Sequence, residues 1–409
     1  MQKVYIFDYI YLNKMKLKTL FREEKNGGYK FNREDGTAEF YEGDKFREEI
    51  KKAEDKKESF DRVERPENAS DLALTAPLAI WHETTQACNL SCKDCGRRKT
   101  GEEDLDIKKI NKIYRDLSAS GVFEVRVTGG EACIRPDIEQ IVESAKDNGF
   151  YVSLTSNGVY TADLRERVVN LPIGLYILSL DGTRQINDAI RGRGSYESTL
   201  TTIKELTAAG KNVRVNTVLM QQTKDCIEEL VDILIGVGVK ALTLIPLRPT
   251  GTAAQNFDGS KLSPKEYMNT VELVGRFREK YLGFSIATNY DVISTTSQGE
   301  NVPSYWSKMC IAGIEAACVS PSGSLRACIL APIGDAGNLL QNSFYELWHN
   351  DALWGIFRDM DRRVLEQCRK CEDYKIKCPG SCIAMTEYLR ASGKKPREIY
   401  CFRGLMKKQ

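Results

Sequence analysis

The 409-residue chain is long enough for two or three domains, with 42% hydrophobic and 28% charged residues. Its 59 lysines and arginines almost balance its 57 aspartates and glutamates, which leaves a net charge of +2. That balance argues against a surface for nucleic acid or an anionic membrane. No apolar run reaches the roughly 18 residues of a transmembrane helix, and we find no signal for cleavage near the N-terminus. We therefore expect a cytoplasmic protein.

The cysteine content is the most unusual feature of the composition. Thirteen cysteines occur, but only two histidines, His82 and His349. Disulfide scaffolds are usually short secreted chains, whereas clustered cysteines in a cytoplasmic protein indicate metal binding. The scarcity of histidine argues against Cys2His2 zinc sites and histidine-rich iron or copper sites.

Residues 1–62 are predicted to form a small α+β unit of their own. An apolar run at 4–12 reads as a strand, and residues 28–43 read as a hairpin with an Asp-Gly turn. A charged helix follows at 44–57, with one apolar face formed by Phe46, Ile50 and Ala53. Residues 63–76 are predicted to be a linker.

From residue 77 to 255, strand-like and helix-like patterns alternate. Helical patterns occur at 107–121, 137–149 and 223–238. They separate six apolar runs, at 78–84, 122–129, 150–156, 174–180, 213–219 and 241–247. Alternation of this kind predicts a parallel sheet with helical crossovers. Six units are too few for a closed eight-unit barrel, so we expect an open one with its site at the carboxyl ends of the strands.

The rest of the chain divides into two predicted regions. Residues 256–303 read as a helical bridging region, and residues 304–409 as a cysteine-rich domain. That domain holds eight cysteines: Cys310, Cys318, Cys328, Cys368, Cys371, Cys378, Cys382 and Cys401. Eight thiolates could fully ligate two four-iron clusters, although two structural zinc sites would fit the spacing as well.

A three-cysteine loop directly follows the first barrel strand. Cys88, Cys92 and Cys95 have the spacing C-x3-C-x2-C. Three thiolates on a [4Fe–4S] cluster leave one iron open to bind a further molecule. A zinc knuckle would need a fourth ligand close by, and a redox Cys-x-x-Cys pair would leave Cys88 unexplained. The loop therefore favours an iron–sulfur cluster with one open iron.

The segment "CNLSCKDC" resembles the signature loop of the radical S-adenosylmethionine (SAM) superfamily. The resemblance implies a partial (β/α)6 TIM barrel in which SAM chelates the open iron and is cleaved to a 5′-deoxyadenosyl radical that abstracts a substrate hydrogen. The residue before the third cysteine is usually aromatic in this family and packs on the adenine. Here it is Asp94, so the adenine contact must be made differently.

The same resemblance implies a set of SAM contacts. The segment "TGGEA" resembles the family's "GGEP" motif, whose backbone receives the SAM amino group and whose carboxylate supports it. Arg191 would bind the SAM carboxylate, while the remaining positions would line the ribose and adenine. At Asn157 and Asp181, ordinary turn chemistry remains an alternative. The implied SAM-binding residues are Gly129, Gly130, Glu131, Asn157, Ser179, Arg191, Asn216 and Leu247.

The C-terminal cysteines resemble the SPASM extension of the superfamily. That resemblance implies two auxiliary [4Fe–4S] clusters, three clusters in all. The first would take Cys310, Cys318, Cys328 and Cys382; the second would take Cys368, Cys371, Cys378 and Cys401. Cys318 lies on a predicted strand and could point away, which would open one iron of the first cluster.

SPASM enzymes mostly modify peptides, so the expected substrate is a ribosomally synthesised precursor peptide that is cross-linked, epimerised, excised or oxidised. Residues 1–62 could dock that peptide on a strand edge, or merely cover the barrel, and a separate recognition protein is a further possible partner. A flavodoxin or ferredoxin would donate electrons. An oxidase of a small molecule or porphyrin side chain, or a non-catalytic cluster or zinc module, remains an alternative. No catalytic acid or base can be identified from the sequence.

Overall fold

The computed structural model describes residues 17–97, 100–288, 310–359, 365–371 and 382–395. The strand predicted at 4–12, as well as Cys378 and Cys401, lies outside the described residues. Within the described ranges, no helix combines the length and the apolar character that crossing a membrane requires.

The N-terminal unit is a four-stranded sheet with one helix. Its strands are β1 (Thr19–Glu24), β2 (Gly27–Asn32), β3 (Ala38–Glu42) and β4 (Phe60–Val63), arranged in the order β3-β2-β1-β4. Strands β2 and β3 form the predicted antiparallel hairpin. Strand β4 pairs with β1 in parallel, so the unit extends slightly into the segment predicted as linker.

Helix α1 (Asp44–Asp55) covers one face of this sheet. Phe46, Ile50 and Ala53 are buried, as the spacing of apolar residues predicts. The ring of Phe46 packs with Phe21 of β1 at 6.1 Å between ring centroids. The helix is therefore held by burial of a narrow apolar stripe, while its charged residues remain exposed.

The larger sheet contains the predicted barrel. Its ten strands are ordered β11-β10-β9-β8-β7-β6-β5-β12-β13-β14. The six consecutive strands predicted from the sequence are all present and parallel: β5 (Ala79–Glu83), β6 (Glu124–Thr128), β7 (Tyr151–Ser156), β8 (Leu175–Ser179), β9 (Val213–Leu219) and β10 (Ala241–Pro246). The expected α/β fold class is thus confirmed.

Helices connect these strands and bury their apolar side chains. Ile80, Val125 and Val152 belong to one core cluster with Ile110, Leu117 and other helix residues. The helices are α2 (Ile107–Ala119), α3 (Ile138–Asp147), α4 (Ala162–Asn170), α5 (Arg184–Arg191), α6 (Ser195–Ala208), α7 (Ile227–Gly236), α8 (Ala253–Ser260) and α9 (Pro264–Lys280).

Both edges of the barrel sheet are extended by strands that the sequence analysis did not assign to it. Strand β11 (Ser285–Thr288) lies in the region predicted as helical and pairs with β10. On the other edge β12 (Ala316–Val319) pairs in parallel with β5 and leads into β13 (Ser324–Arg326) and β14 (Asp335–Asn338). The cysteine-rich region is therefore continuous with the barrel sheet. Its helices are α10 (Phe344–His349), α11 (Glu366–Arg369) and α12 (Ile383–Ala391).

The N-terminal unit packs against the amino ends of the barrel strands. Arg22 is fully buried and donates hydrogen bonds to the carbonyls of Pro77 and Gly121. The ring of Phe31 stacks on Phe123 at 4.4 Å between centroids. Because these barrel residues precede β5 and β6, the contact leaves the carboxyl ends of the strands uncovered by this unit.

Candidate functional site

The predicted site residues follow the barrel strands at one edge of the sheet. The carboxyl ends of neighbouring parallel strands lie side by side, which gathers residues that are far apart in sequence. The three-cysteine loop follows β5, Gly129 to Glu131 follow β6, Asn157 follows β7, Ser179 ends β8, Asn216 lies on β9, and Leu247 follows β10.

Backbone contacts with the glycine segment fix one side of the three-cysteine loop. The amide of Gly130 donates to the carbonyl of Thr85 at 2.8 Å, and the amide of Glu131 donates to the carbonyl of Ala87 at 2.9 Å. A Cβ atom at Gly130 would lie 1.8 Å from the Ala87 oxygen. A glycine is therefore required here for the two loops to lie in contact.

The other side of the loop is held by α5 and by the segment after β10. The amide of Lys93 donates to the carbonyl of Ile190 at 3.0 Å, and the amide of Ala253 donates to the carbonyl of Cys95 at 3.1 Å. The hydroxyl of Thr250 donates to the carbonyl of Gly96 at 2.8 Å. These contacts position the cysteines even though the loop itself contains no regular structure.

The three cysteines have the chemistry that an iron–sulfur cluster needs. All are free thiols, and the amide of Leu90 approaches the Cys88 sulfur at 3.4 Å. Burial raises the pKa of Cys92 to about 12, although the nearby Arg191 opposes this rise. Cluster iron would supply the positive charge that stabilises these thiolates, and amide contacts to sulfur are a usual part of such sites.

Glu131 is buried and directed into the protein. Its carboxylate accepts hydrogen bonds from Ser156 Oγ at 2.9 Å, from the Asn157 amide at 2.8 Å and from the Cys133 amide at 3.2 Å. These contacts tie the end of β6 to the end of β7. The role of Glu131 toward a SAM ammonium stays a prediction, since its oxygens have these internal partners.

Arg191 forms a buried ion pair that the sequence analysis missed. Its Nε lies 2.5 Å from Oδ2 of Asp181, whose Oδ1 accepts the Val218 amide at 2.7 Å. Neither terminal nitrogen of Arg191 has a hydrogen-bond partner among the described residues. Arg191 also lines a cavity of about 550 Å³ with Asn89 and other residues of the three-cysteine loop. The terminal nitrogens of Arg191 are therefore available to bind the carboxylate of a ligand beside the cysteines.

Ser179 and Asn216 lie next to each other across β8 and β9. Oδ1 of Asn216 is buried and has no hydrogen-bond partner in the part of the chain that the structure describes. A buried acceptor of this kind is costly unless a donor meets it. A ribose hydroxyl is a suitable donor, so these two positions fit the predicted nucleoside contact.

A larger cavity of about 850 Å³ adjoins this edge of the sheet. Leu247, Met220 and Ile190 form part of its apolar lining. Asp94 and Lys93 of the three-cysteine loop also line it. Leu247 is 2% exposed and packs in a small core cluster with Met220 and Ile190. Its predicted contact with the adenine is compatible with this place in the fold.

Asp94 has partners that the sequence did not predict. Burial, followed by the neighbouring Asp181 carboxylate, raises the pKa of Asp94 to about 7, while Arg191 acts in the opposite direction. Oδ1 of Asp94 is shielded from solvent without a hydrogen bond to any described residue. No spacing rule connects residues 94, 181 and 191, so only the fold could bring them together.

Four C-terminal cysteines are described close to the barrel edge. Burial, together with the thiols of Cys310 and Cys382, raises the pKa of Cys328 to about 12. Cys318 lies on β12 opposite Trp81, is 1% exposed, and interacts electrostatically with Cys328. Across the described ranges, no three His, Cys, Asp or Glu side chains converge tightly enough for a single metal ion. Cysteines on a four-iron cluster bind different irons and need not converge so tightly.

The second cysteine group is described only in part. Cys368 lies on α11 and is buried, and the amide of Cys371 donates to the Cys368 carbonyl at 3.0 Å. Cys378 and Cys401, predicted as their partners, lie outside the described residues. This ligand set therefore stays a prediction.

Ionic contacts join the three-cysteine region to the C-terminal domain. Arg326 of β13 is hydrogen-bonded to Glu102, whose other oxygen accepts Ser322 Oγ at 2.7 Å. Nε of Arg97 lies 3.6 Å from Oε1 of Glu83, the last residue of β5. Neither arginine was identified from the sequence.

Two family models match the chain. The model described as the radical SAM superfamily matches residues 82–234, and the model described as an iron–sulfur cluster-binding domain, SPASM, matches residues 310–372. The first match contains the three-cysteine loop and the ends of β5 to β9, and the second begins at Cys310.

Relatives and solved structures extend over most of the chain. The chain is 30% identical over 322 residues to mycofactocin maturase MftC of Mycobacterium tuberculosis, which covers 76% of this chain and 79% of that protein. It is 24% identical over 327 residues to PqqA peptide cyclase of Ruegeria pomeroyi, covering 76% and 84% respectively. The crystal structure of Streptococcus suis SuiB bound to the precursor peptide SuiA has the same fold, with a TM-score of 0.73, 19% identity, and coverage of 94% of this chain and 99% of that one.

Proposed function

The chain belongs to the radical SAM superfamily and carries a SPASM domain, and from this premise we propose that it modifies a ribosomally synthesised precursor peptide. The names of two relatives, a maturase and a peptide cyclase, support a peptide substrate. The observation that carries the proposal is the arrangement at one edge of the barrel. A three-cysteine loop lies there with Arg191, whose terminal nitrogens have no partner among the described residues, and with an Asn216 oxygen that is unpaired within the same ranges.

Cys88, Cys92 and Cys95 would hold the cluster, and the backbone contacts of Gly130 keep their loop at the end of β6. When bound there, the cluster and SAM supply a 5′-deoxyadenosyl radical that abstracts hydrogen from the substrate. Side chains of the protein would position SAM. Arg191 would orient the SAM carboxylate, and Ser179 and Asn216 would accept hydrogen bonds from the ribose hydroxyls. Gly129, Asn157 and Leu247 would shape the rest of the SAM site.

We propose three [4Fe–4S] clusters, one at the three-cysteine loop and two in the SPASM domain. The electrostatic contact of Cys328 with Cys310, Cys382 and Cys318 supports the first auxiliary set. Since Cys318 lies near Cys328, we favour full ligation of that cluster by four thiolates. The second set would consist of Cys368, Cys371, Cys378 and Cys401.

The N-terminal sheet would serve as the peptide-docking unit. Strand β3 lies at one edge of the sheet, so it can accept a further strand. Hydrogen exchange with and without the precursor peptide tests this directly. Slower exchange of the amides of residues 38–42 is expected. Protection restricted to the barrel would refute docking on β3 and favour a separate recognition protein.

A reductant must reach the clusters, and we propose a flavodoxin or ferredoxin in the cytoplasm, where the cysteines would remain reduced. The decisive experiment uses the reconstituted enzyme, SAM, dithionite and candidate precursor peptides taken from short open reading frames near its gene. We expect 5′-deoxyadenosine and a change in the mass or the chromatographic retention of the peptide, both lost in Cys92→Ala. Formation of 5′-deoxyadenosine with no change in the mass or the chromatographic retention of the peptide would contradict the proposed substrate.

A further inference from the structure

Asp94 is an acidic residue that shares one guanidinium, that of Arg191, with a second carboxyl group. Asp94 and Asp181 are in contact and both interact with Arg191, so two carboxyl groups surround one guanidinium. Nε of Arg191 already binds Asp181 at 2.5 Å, and Oδ1 of Asp94 is shielded from solvent with no hydrogen bond to a described residue. A shielded carboxyl oxygen without a partner favours the binding of a cationic group beside it.

The backbone fixes Asp94 beside the cysteines. The residues on either side of it are held by the Lys93 to Ile190 hydrogen bond of 3.0 Å and the Ala253 to Cys95 hydrogen bond of 3.1 Å. Asp94 interacts electrostatically with Cys92 and also lines the cavity of about 850 Å³ that contains Leu247. Asp94 thus belongs both to the three-cysteine loop and to the wall of the neighbouring cavity.

SAM would bring one permanent positive charge to this place. Its amino and carboxylate groups, which would bind the open iron and Arg191, sit on one carbon atom, and the sulfonium is only three bonds from that carbon. A SAM molecule held by its methionine end therefore keeps its sulfonium close to the three-cysteine loop. A carboxylate next to Cys92 and Arg191 lies within range of that charge.

We propose that Asp94 is a specificity-determining residue that attracts the sulfonium of SAM and thereby discriminates against the neutral thioether S-adenosylhomocysteine. An aromatic ring at this position would contact the adenine, which both molecules share, and could not tell them apart. A carboxylate acts on the charge in which they differ. The inference rests on SAM binding at the three-cysteine loop, as proposed above.

The test measures binding rather than turnover. Dissociation constants of SAM and of S-adenosylhomocysteine are determined by equilibrium dialysis with the reconstituted, unreduced enzyme, and iron content is measured for each variant. Asp94→Asn, which keeps the shape but removes the charge, is expected to weaken SAM binding about 10-fold and to change S-adenosylhomocysteine binding less than about twofold. Asp94→Glu should retain the preference for SAM. If Asp94→Asn does not retain its iron–sulfur cluster, Asp94→Ser is used in its place. The same weakening of SAM binding is expected for that variant.

Asp258→Asn is the matched control, because Asp258 lines the same cavity but is 63% exposed and paired with Lys261. Both affinities should be unchanged in this variant. Equal weakening of both ligands in Asp94→Asn, or no weakening of either, would overturn the inference. If the wild-type enzyme binds SAM and S-adenosylhomocysteine equally well, the inference about Asp94 is overturned but the proposed function is not. If the wild-type enzyme binds neither ligand, the proposed function is overturned as well.

Discussion

Two acidic residues near the barrel mouth, Glu131 and Glu102, have different structural roles because their hydrogen-bond partners differ. Glu131 receives its hydrogen bonds from the backbone and from Ser156, and so connects two strand ends. Glu102 instead receives them from side chains that include Arg326 of the C-terminal domain. The same functional group therefore fixes a strand end in one case and joins two parts of the chain in the other.

Glu102 makes stability depend on pH. Burial alone would raise its pKa, but hydrogen bonds from Ser320, Thr100, Ser322 and Arg326 outweigh burial and lower the pKa to about 2, from 4.5. Glu102 should therefore stabilise the fold fully above pH 4.5, and this contribution should be lost as pH falls towards 2.

We expect Glu102→Gln to lower the free energy of unfolding by about 1–3 kcal/mol at neutral pH, because charge-assisted hydrogen bonds are lost. Urea unfolding at about pH 7 and about pH 3.5 should show the difference from wild type shrinking at the lower value. Glu103→Gln, at an exposed neighbouring position, should have no effect. A deficit that is as large at the lower pH as at pH 7 would contradict this account.

At the scale of elements, the site depends on loops that touch through their backbones. The segment after β6 supports the three-cysteine loop only because Gly130 lacks a side chain. The opposite end of the barrel is closed by the N-terminal unit through buried Arg22. One contact organises the site and the other holds an accessory unit, so they can be tested separately.

Gly130→Ala should disturb the three-cysteine loop, since the new methyl group would overlap the Ala87 carbonyl. We expect a loss of about 1–3 kcal/mol in unfolding free energy and a lower iron content after reconstitution. Gly236→Ala on α7 is the control, because nothing lies within 4 Å of its added Cβ. If Gly130→Ala binds as much iron as wild type, the close contact is not needed to form the site.

Arg22→Met should loosen the N-terminal unit without touching the barrel mouth. The substitution removes the hydrogen bonds to Pro77 and Gly121 and the 2.8 Å ion pair with Glu24, which keeps the longer 3.9 Å ionic contact with Arg65. Removing one member of a buried ion pair typically costs about 3–5 kcal/mol. Thermal unfolding and protease sensitivity of residues 17–63 measure the effect, and exposed Lys45→Met serves as the control. A melting temperature unchanged from wild type would show that Arg22 does not hold the unit.

At the scale of the whole molecule, one continuous sheet links the two cysteine regions. Strand β12, which carries Cys318, pairs directly with β5, the strand that leads into the three-cysteine loop. The SPASM region is thus anchored to the barrel by backbone hydrogen bonds rather than by a flexible connection.

Iron content should report the number of clusters. We expect about twelve irons in each reconstituted chain, and about eight when Cys88, Cys92 and Cys95 are all replaced by alanine. Iron and zinc are both measured, together with protein concentration by amino-acid analysis. About four irons in the wild type, accompanied by zinc, would mean that the C-terminal cysteines hold zinc instead.

The parallel strands and the cysteine motifs were predictable because each has a local signal. Apolar runs such as 213–219 and the spacing of Cys88, Cys92 and Cys95 can be read without knowing the fold. Strand β11 was missed because four residues after a long helix carry little periodicity. The Asp94, Asp181 and Arg191 cluster was missed because it exists only once the segments that follow β5 and β8 meet at the same end of the sheet.

Hydrogen abstraction from a peptide is the central step of the proposed function. The most direct measurement uses the precursor peptide synthesised with deuterium on all of its α-carbons and side-chain carbons, incubated with the reduced enzyme and unlabelled SAM. Mass spectrometry of the 5′-deoxyadenosine formed should show one deuterium transferred from the peptide. Wholly unlabelled 5′-deoxyadenosine, formed while a fully deuterated peptide is converted, would contradict the account.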